Sequence, residues 1–311
     1  MDILHRLLEH DTAGDPMTGL RWSRRSTTRI AEQLLAIGIA VSPQTVARLL
    51  HQMRYSLRVN RKLISTDSSP HRNLQFEYLA ELRHRFQRRH QPIISVDTKK
   101  RELVGNFCNP GRRWERTPRR VFDHDFRTDS LGVAIPYGIY DPTVNRGTLV
   151  VGVSHDTPAF AAHAIALWWH QEGSRHYRGS SQLLILADTG GSNGCRSHAW
   201  KTEVQSQLAN TFSLAVTVAH YPTGTSKWNP IEHRLFSEVS RNWAGEPLDS
   251  YQKILNYART TETQTGLRVT AYLDRRYYPC GLKPTAEQVA SLRLQRHDIL
   301  PEWNYTIRPQ L

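Results

Sequence analysis

The sequence has no long apolar run and few cysteines, and both absences exclude classes of protein. No stretch approaches the roughly 20 apolar residues that a membrane-spanning helix needs, and the N-terminus lacks the continuous apolar core of a secretory signal. The 311 residues include three cysteines, Cys108, Cys195 and Cys280, which form no CxxC pair. An odd, scattered set argues against a disulfide framework and a cysteine zinc site. The sequence therefore predicts a cytoplasmic protein that acts without a membrane.

Acidic residues are scarce relative to basic ones. The chain has 28 Asp and Glu against 41 Lys and Arg, which gives a formal net charge of +13 and an isoelectric point near 10.0. This excess favours a polyanionic partner over an acidic metabolite. Because no membrane segment is present, the sequence predicts nucleic acid as that partner. The length allows one large domain and a smaller one.

Several catalytic signatures are also missing. The 15 histidines include no HExxH pattern and no His/Cys cluster with zinc spacing. No GxSxG motif marks a serine nucleophile. The glycine-rich segment DTGGSNG at 188–194 lacks both the GxGxxG spacing and the GK[ST] ending of nucleotide-binding loops. These absences argue against a zinc peptidase, a serine hydrolase, and a Rossmann or P-loop enzyme.

The apolar pattern and the turn residues divide the chain into five segments. Ser26 or Thr27 begins a first short amphipathic helix, Ser42 is the N-cap of a second, and Gly38 closes the first helix. From residue 92 onward, short apolar runs of strand type alternate with helical patterns. We therefore predict a linker or remnant at 1–25, a helix-turn-helix DNA-binding domain at 26–69, a connecting helix at 70–91, a core at 92–248 and a C-terminal α+β extension at 249–311.

Polar and basic residues of the N-terminal segment are candidate DNA contacts. Gln44, Thr45 and Arg48 lie on the exposed face of the second helix, where they would meet base edges or phosphates. Arg58 and Lys62 belong to the basic tail RYSLRVNRK that follows. The alternative interpretation is a plain helical hairpin packed on the main domain. In the connecting helix, four apolar residues are expected to face inward: Leu74, Tyr78, Leu82 and Phe86.

The core segment has the order of elements of a ribonuclease H-like (integrase-like) α/β fold. Three strands come first, PIISVD, AIPYGIYD and TLVVGV, and the turn DPTVNRG joins the last two as a hairpin. A helix beginning near Pro158, the strand LLILAD, a helix at 197–209, the strand FSLAVTV and a further helix follow. In this order the first and fourth strands are neighbours. After the core, we expect helices at 251–261 and 284–295 around a strand at 266–274.

Three acidic residues occupy positions that the predicted fold brings together. Asp97 and Asp188 end the first and fourth strands, and Glu232 lies in the first turn of a helix behind Asn229 and Pro230. Ligands of open α/β sheets bind at the carboxyl ends of the strands. Three carboxylates repel one another unless a hard cation such as Mg²⁺ joins them. Two such ions about 3.5–4 Å apart would support in-line displacement at a phosphodiester.

Each acid taken alone has a more ordinary interpretation. A strand-terminal aspartate more often caps a helix or a turn, and a glutamate in a first helical turn is favoured by the helix dipole. The combination of the three favours a catalytic metal site. Further candidate phosphate contacts near them in sequence are Lys99, Lys100, Asn193, Arg196 and Lys227. A second basic stretch, GRRWERTPRR at 111–120, contributes Arg112 and Arg113, although a basic run is also typical of a solvated surface.

A resemblance to a known family rests on the strings PIISVDTKKRELVGNF, YGIYD, LLILADTGGSNG, HYPTGTSKWNPIEHRLFS, NWAGEPL and WNYTI. Together they resemble the Rhodopirellula-type (ISAzo-thirteen) family of bacterial insertion-sequence transposases, from about Gly14 to Pro309. The resemblance implies a DDE transposase with a ribonuclease H-like core, in which Asp97, Asp188 and Glu232 match the three acidic positions. It also implies cleavage and strand transfer that depend on two Mg²⁺ ions per site, with Mn²⁺ as a substitute.

The resemblance further implies partners and a location. The protein would bind the terminal repeats of its own element and a target DNA, as a homo-oligomer, in the bacterial cytoplasm at the nucleoid. Two alternatives stay open: a ribonuclease H-like DNA nuclease without strand transfer, and a truncated, non-cutting DNA-binding regulator of a full-length transposase. Family members carry more chain upstream, including another helix-turn-helix, so a truncated copy or a misplaced start codon is expected.

Overall fold

A computed structural model describes residues 3–4, 13–14, 21–22, 26–53, 55, 70–225 and 228–310. The chain divides into two compact units, Met1–Ile64 and Ser65–Leu311. Within the described ranges, no helix is both long and apolar enough to cross a membrane. The domain boundaries given by the sequence analysis stay predictions.

Two helices and a two-residue strand pair are described in the first unit. Strand β1 (Ala13–Gly14) pairs antiparallel with β2 (Arg21–Trp22), and helices α1 (Thr27–Ala36) and α2 (Pro43–Gln52) follow. The helices begin where the sequence predicts, because a serine side chain accepts a hydrogen bond from a first-turn amide in each. Ser26 Oγ accepts from the Arg29 N–H at 3.2 Å, and Ser42 Oγ accepts from the Thr45 N–H at 3.1 Å. Their inner faces share one buried cluster: Leu4, Ile30, Ala31, Leu34 and Val46.

A mixed sheet of nine strands, counted over the described residues, is the centre of the second unit. The strands are β3 Ile93–Thr98, β4 Glu102–Val104, β5 Gly132–Asp141, β6 Arg146–Gly152, β7 Gln182–Ala187, β8 Ala215–His220, β9 Arg268–Asp274, β10 Leu294–Arg296 and β11 Asn304–Ile307. Their spatial order is β10-β11-β8-β7-β3-β5-β6-β9, and β4 pairs with β5 outside this path.

Two neighbour relations among the five central strands are those that the sequence predicts. Strand β3 is antiparallel to β5, which is antiparallel to β6 through the predicted hairpin. Strand β3 is also parallel to β7, which is parallel to β8. The first and fourth predicted core strands are therefore neighbours, as the ribonuclease H-like order requires. Residues beyond 249 extend the same sheet, with β9 beside β6 and the β10–β11 hairpin beside β8.

Helices cover both faces of this sheet, as in other layered α/β proteins. They are α3 Arg72–Arg88, α4 Pro158–Trp168, α5 Ser174–His176, α6 His198–Val204, α7 Ser237–Asn242, α8 Tyr251–Arg259 and α9 Ala286–Ala290. Three π-helical turns adjoin them, at Trp169–Gly173, Gln205–Asn210 and Glu232–Phe236. Short 3₁₀ turns occur at Arg127–Asp129 and Gly191–Asn193.

Three buried clusters tie the helices to the sheet. The largest joins strand residues such as Val96 and Ile185 to Phe160 of α4 and Trp200 of α6. In a second cluster, α7 and α8 pack against β5 and β6. The third packs α3 on β3, β7 and β8. Helix α3, predicted as a connector, is thus part of the second unit's core.

Two local predictions are wrong, and one strand is missing from the predicted elements. Of the inward residues predicted on α3, Leu82 and Phe86 are buried and Tyr78 packs against the same cluster, but Leu74 is 43% exposed, and Gln75 and Leu79 are buried instead. The helix predicted at 284–295 ends at Ala290, and β10 begins at Leu294. Strand β11, which contains the NYTI of the string WNYTI, was not predicted at all. The burial of Gln75 and the pairing of β11 with β8 both involve parts of the chain that are distant in sequence.

Candidate active site

The carboxyl ends of two parallel strands place Asp97 and Asp188 at equivalent positions. The register of β3 and β7 pairs Ser95 with Leu186, and each aspartate lies two residues beyond that pair. Neighbouring strands are about 4.8 Å apart. The two carboxylates therefore meet at one edge of the sheet, where the sequence analysis expects them.

The helical segment that contains Glu232 lies directly on the sheet because two glycines make room for it. Glu232–Phe236 forms a π-helical turn that continues into α7. A Cβ on Gly138 would overlap the ring of Phe236, and a Cβ on Gly147 would overlap another side chain of the same turn. Gly138 is the register partner of Asp97 on β5. The close packing therefore draws Glu232 toward the strand end that holds Asp97.

A fully buried amide connects the three acidic segments. Asn229 Nδ2 donates to Asp188 Oδ1 at 3.3 Å, and Asn229 Oδ1 accepts a short hydrogen bond from the hydroxyl of Ser95. The carbonyl oxygen of Asn229 accepts from the Glu232 N–H at 3.2 Å. Both Asn229 and Ser95 are completely buried. Asn229 thus links β3 and the end of β7 through its side chain, and the start of the Glu232 helix through its backbone carbonyl.

The pKa values of Asp97 and Asp188 are both raised in the folded chain. Burial raises the pKa of Asp97 from 3.8 to about 7, and the charge of Asp188 is the next cause. The Thr98 N–H, which donates to Asp97 Oδ1 at 2.7 Å, opposes this rise. Burial also raises the pKa of Asp188, with the charge of Glu232 adding to the effect and the Asn229 amide opposing it. Both aspartates are thus harder to ionise, first because they are buried and then because other acids lie near them.

A cavity of about 400 Å³ opens beside the two aspartates. Asp97, Asp188 and Asp156 line it together with the glycine-rich segment 189–193. Asp156 Oδ1 accepts a hydrogen bond from Thr98 Oγ1 at 3.1 Å. Glu232 does not line this cavity. The space at the sheet edge therefore faces three aspartates, and Glu232 stands farther back.

The donor set fits a hard divalent cation in part. Among the described residues, no group of three His, Cys, Asp or Glu side chains converges closely enough to hold a metal ion as it stands. Asp97 and Asp188 nevertheless offer carboxylate oxygens in one cavity, with pKa values raised partly by neighbouring acids. Mg²⁺ uses one or two carboxylates and keeps several waters or substrate oxygens. The aspartate pair satisfies that requirement.

The predicted phosphate contacts in the second unit differ in how free their side chains are. Lys100 and Arg196 are exposed. The Lys99 ammonium is 2.7 Å from Glu102 and lies over the Trp243 ring at 4.6 Å. Asn193 is buried, and its Oδ1 accepts from the Tyr137 hydroxyl at 2.9 Å. The described residues thus leave Lys100 and Arg196 with the most accessible charges of this group.

The basic stretch 111–120 forms an exposed loop whose base is fixed to the core. Glu246 is 1% exposed, and it binds Arg113 in a short ion pair and Arg119 at 2.6 Å. Lys253 of α8 is 2.8 Å from the same carboxylate. Arg112 is exposed, and Trp114 is fully exposed. Arg113 therefore anchors the loop, while Arg112 faces solvent.

The remaining candidate contacts belong to the first unit or lie outside the described residues. On α2, Gln44 and Arg48 are exposed, and the Thr45 hydroxyl is 3.1 Å from Ser42 Oγ. Three candidates fall on residues that the structure does not describe: Arg58, Lys62 and Lys227.

Sequence reasoning did not assign site roles to Asn229, Asp156 or Glu246. Asn229 was interpreted only as an N-cap, because its bonds to Ser95 and Asp188 exist only in the folded chain. Asp156 had a usable signal: β6 runs parallel to β3, so an acid soon after its end faces the same edge. Glu246 had no local signal for its contact with the basic loop, since Arg113 and Arg119 are more than 100 residues away.

The strand order and the paired aspartates define an α/β protein with an acidic site at the carboxyl edge of its sheet. A family model described as the Rhodopirellula transposase DDE domain matches residues 3–309, and the chain belongs to that family. The resemblance drawn from the sequence is therefore confirmed. No curated protein matches the chain.

Solved structures similar to the chain include complexes of Mos1 transposase. The Mos1 transposase paired-end complex with left transposon end shares 17% identity at a TM-score of 0.44, covering 82% of this chain and 68% of that chain. The Mos1 strand transfer complex shares 18% identity at a TM-score of 0.44, with the same coverage. The Mos1 mariner paired-end complex with Mn shares 17% identity at a TM-score of 0.42, covering 83% and 69%.

Proposed function

We propose that this member of the transposase family binds the terminal repeats of a bacterial insertion sequence, cleaves DNA there and joins the 3′ ends to a target. The observation that carries the proposal is the placement of Asp97 and Asp188 at equivalent ends of parallel strands, lining one cavity. Their mutual repulsion is relieved by a divalent cation, and the +13 charge brings an anionic polymer to the protein.

The proposed roles follow from position. Asp97 and Asp188 would hold the cation, Mg²⁺ or Mn²⁺, and Glu232 would complete a second site as the third catalytic acid. When bound, the metal would supply Lewis acidity at a phosphodiester and lower the energy of the displaced oxygen. Asn229 orients Asp188 and ties it to the helix of Glu232. The carboxylates alone do not distinguish water from a 3′-hydroxyl, so cleavage and strand transfer need separate assays.

The proposed DNA contacts surround this edge and extend to the first unit. Lys99, Lys100, Arg196 and Lys227, together with Arg112 of the anchored loop, would bind backbone phosphates, and Arg113 would hold that loop in place. Asn193 would shape the loop beside Asp188. Helix α2 would present Gln44, Thr45 and Arg48 to a groove, with Arg58 and Lys62 on the backbone. A homo-oligomer assembled on two element ends is part of the same proposal.

The test is cleavage of a labelled duplex that carries the element's own terminal repeat, in Mg²⁺, in Mn²⁺ and with a chelator. Wild type is compared with Asp97→Asn and with Asp123→Asn, whose side chain is 93% exposed and serves as a matched control. We expect metal-dependent nicking at the repeat boundary in wild type and the control, and none in Asp97→Asn.

Two other outcomes would decide between the alternatives. Cutting without joining of pre-cut ends to a plasmid would favour a nuclease that lacks strand transfer. Sequence-specific binding with no cutting in any metal would favour a regulator that occupies element ends. Unchanged cutting by Asp97→Asn would remove the proposed site altogether.

A further inference from the structure

A second cavity, of about 360 Å³, lies at the end of the sheet opposite the acidic site. Gln182 and Ala215, the first residues of β7 and β8, line it, whereas Asp97 and Asp188 follow the carboxyl ends of their strands. Strand β7 has six residues, which at about 3.3 Å each separates the two cavities by roughly 20 Å. The second cavity is therefore distinct from the candidate active site.

Arginine dominates the walls of this cavity. Arg85 and Arg89 of α3 face it from one side, and Arg296 and Arg308 face it from the C-terminal hairpin. Arg296 pairs with Glu302, but within the described part of the chain Arg85, Arg89 and Arg308 form no ion pair. Asp298 is the one acid in the lining, so the four arginines leave an excess of positive charge there, and cations that converge repel one another. An anion between them would remove that repulsion.

The polar groups between the arginines are held in place. The Tyr78 hydroxyl is 2.7 Å from His297 Nδ1, and His297 Nε2 is 2.8 Å from Thr306 Oγ1. The ring of Tyr78 packs edge-on against that of His297, with centroids 6.0 Å apart. Burial, followed by the charge of Arg85, lowers the pKa of His297. These hydrogen bonds hold the side chains of Tyr78, His297 and Thr306 in place, and the arginine guanidinium groups line the same cavity.

The chemistry of the lining selects a phosphate rather than a base. The two nearest aromatic rings are not free for stacking, because Tyr78 is engaged by His297 and Phe86 is buried in the core. Arginine donors in several directions suit the oxygens of a phosphodiester. A contact of this kind carries no sequence information, because only the backbone is recognised.

We propose that the arginine cavity between α3 and the β10–β11 hairpin is a sequence-independent binding site for the phosphate backbone of duplex DNA. The proposal takes DNA as the ligand from the proposed function. The two sites are about 20 Å apart, which corresponds to roughly six base pairs at 3.4 Å per pair, so the cavity would hold DNA outside the reacting phosphodiester.

The experiment measures binding of a 30-base-pair duplex of unrelated sequence to the full chain at several salt concentrations. Wild type is compared with Arg89→Gln/Arg308→Gln and with Arg146→Gln/Arg268→Gln. The latter pair is exposed, lies in register on β6 and β9 and removes the same charge far from the cavity. Loss of two phosphate contacts predicts a salt slope smaller by about 1.8, and an affinity about 10- to 60-fold lower at 0.1 M salt.

A charge-conserving variant separates binding from folding. Arg89→Lys/Arg308→Lys should keep most of the affinity, because lysine also meets phosphate as a point charge. Melting temperatures identify variants that have lost the fold. Equal loss in the control pair, or none in the cavity pair, would overturn the inference. Weakened binding by the cavity pair, in a wild type that never cuts its own repeat, would support the cavity and count against the proposed catalysis.

Discussion

The raised pKa of Asp97 leads to a prediction about folding stability. In the absence of metal, Asp97→Asn removes a carboxylate that burial and Asp188 make difficult to ionise. The folded-state pKa, about 7, is above the usual 3.8, so the folded chain binds this proton more tightly than the unfolded chain. Stability is therefore lost as pH rises from about 4 to 7, and the full penalty applies above pH 7.

The size of the effect follows from the shift. A change from 3.8 to about 7 corresponds to about 4 kcal/mol as an upper bound. The cavity of about 400 Å³ beside Asp97 is large enough to admit water, which would reduce this value, and we expect Asp97→Asn to be more stable than wild type by about 1–3 kcal/mol at pH 8. Near pH 4 the two proteins should differ little, because the wild-type carboxyl is protonated there.

Urea unfolding followed by circular dichroism at pH 4.5, 6, 7 and 8, with chelator present, would measure the difference. Asp123→Asn is the control, because its carboxylate is 93% exposed and its contact with His124 lies at the surface, where an ion pair contributes little to stability. Millimolar Mg²⁺ should stabilise wild type more than Asp97→Asn, which reverses the order seen without metal. A variant that is equally or less stable than wild type at pH 8 would refute the electrostatic account of the site.

Three further predictions concern the surroundings of the site. Asn229→Ala should weaken Mn²⁺ binding about 10- to 100-fold, because the donor that orients Asp188 is lost. An unchanged affinity in a Mn²⁺ titration would show that Asn229 does not orient Asp188 for metal binding. Gly138→Ala should lower the free energy of unfolding by about 1–3 kcal/mol through overlap with Phe236, measured by urea unfolding, and a neutral result would mean that the helix shifts freely. Glu246→Gln should speed tryptic cleavage within 111–120 several-fold, whereas Glu115→Gln, at a more exposed partner of the same arginines, should change the rate little.

The central fold was predictable because the local apolar patterns and the order of the elements along the chain indicate the same sheet. Short apolar runs gave the strands, and aspartates at the ends of two runs gave the edge where they meet. The adjacency of β3 and β7 followed from the order of elements, since a parallel neighbour of the first strand must come after a crossover. The acidic site is therefore located by information within single segments plus one topological rule. The catalytic roles stay predictions.

The inward face of α3 shows where such reasoning fails. Gln75 is completely buried and donates to the His220 carbonyl at 2.7 Å and to Asn304 Oδ1 at 2.8 Å. A polar residue that faces inward shifts the apolar period, so the pattern selected Leu74 in place of Leu79. Strand β11 was missed for a related reason. Its four residues carry little strand signal by themselves, and the strand is defined by its pairing with β8. Long-range polar partners leave no mark on local periodicity.

The positions of the charged residues in the fold bear directly on the proposed chemistry. The acids gather at the carboxyl edge, and there they would repel a DNA phosphate as strongly as they repel one another. Arginines occupy the anchored loop 111–120 and the cavity at the opposite end of the sheet. In the proposals above, phosphate contacts come from basic residues near the acidic edge as well as from these more remote arginines, whereas the proposed chemistry is confined to the acidic edge. A cation at Asp97 and Asp188 would then be needed for the substrate to approach as well as for it to react.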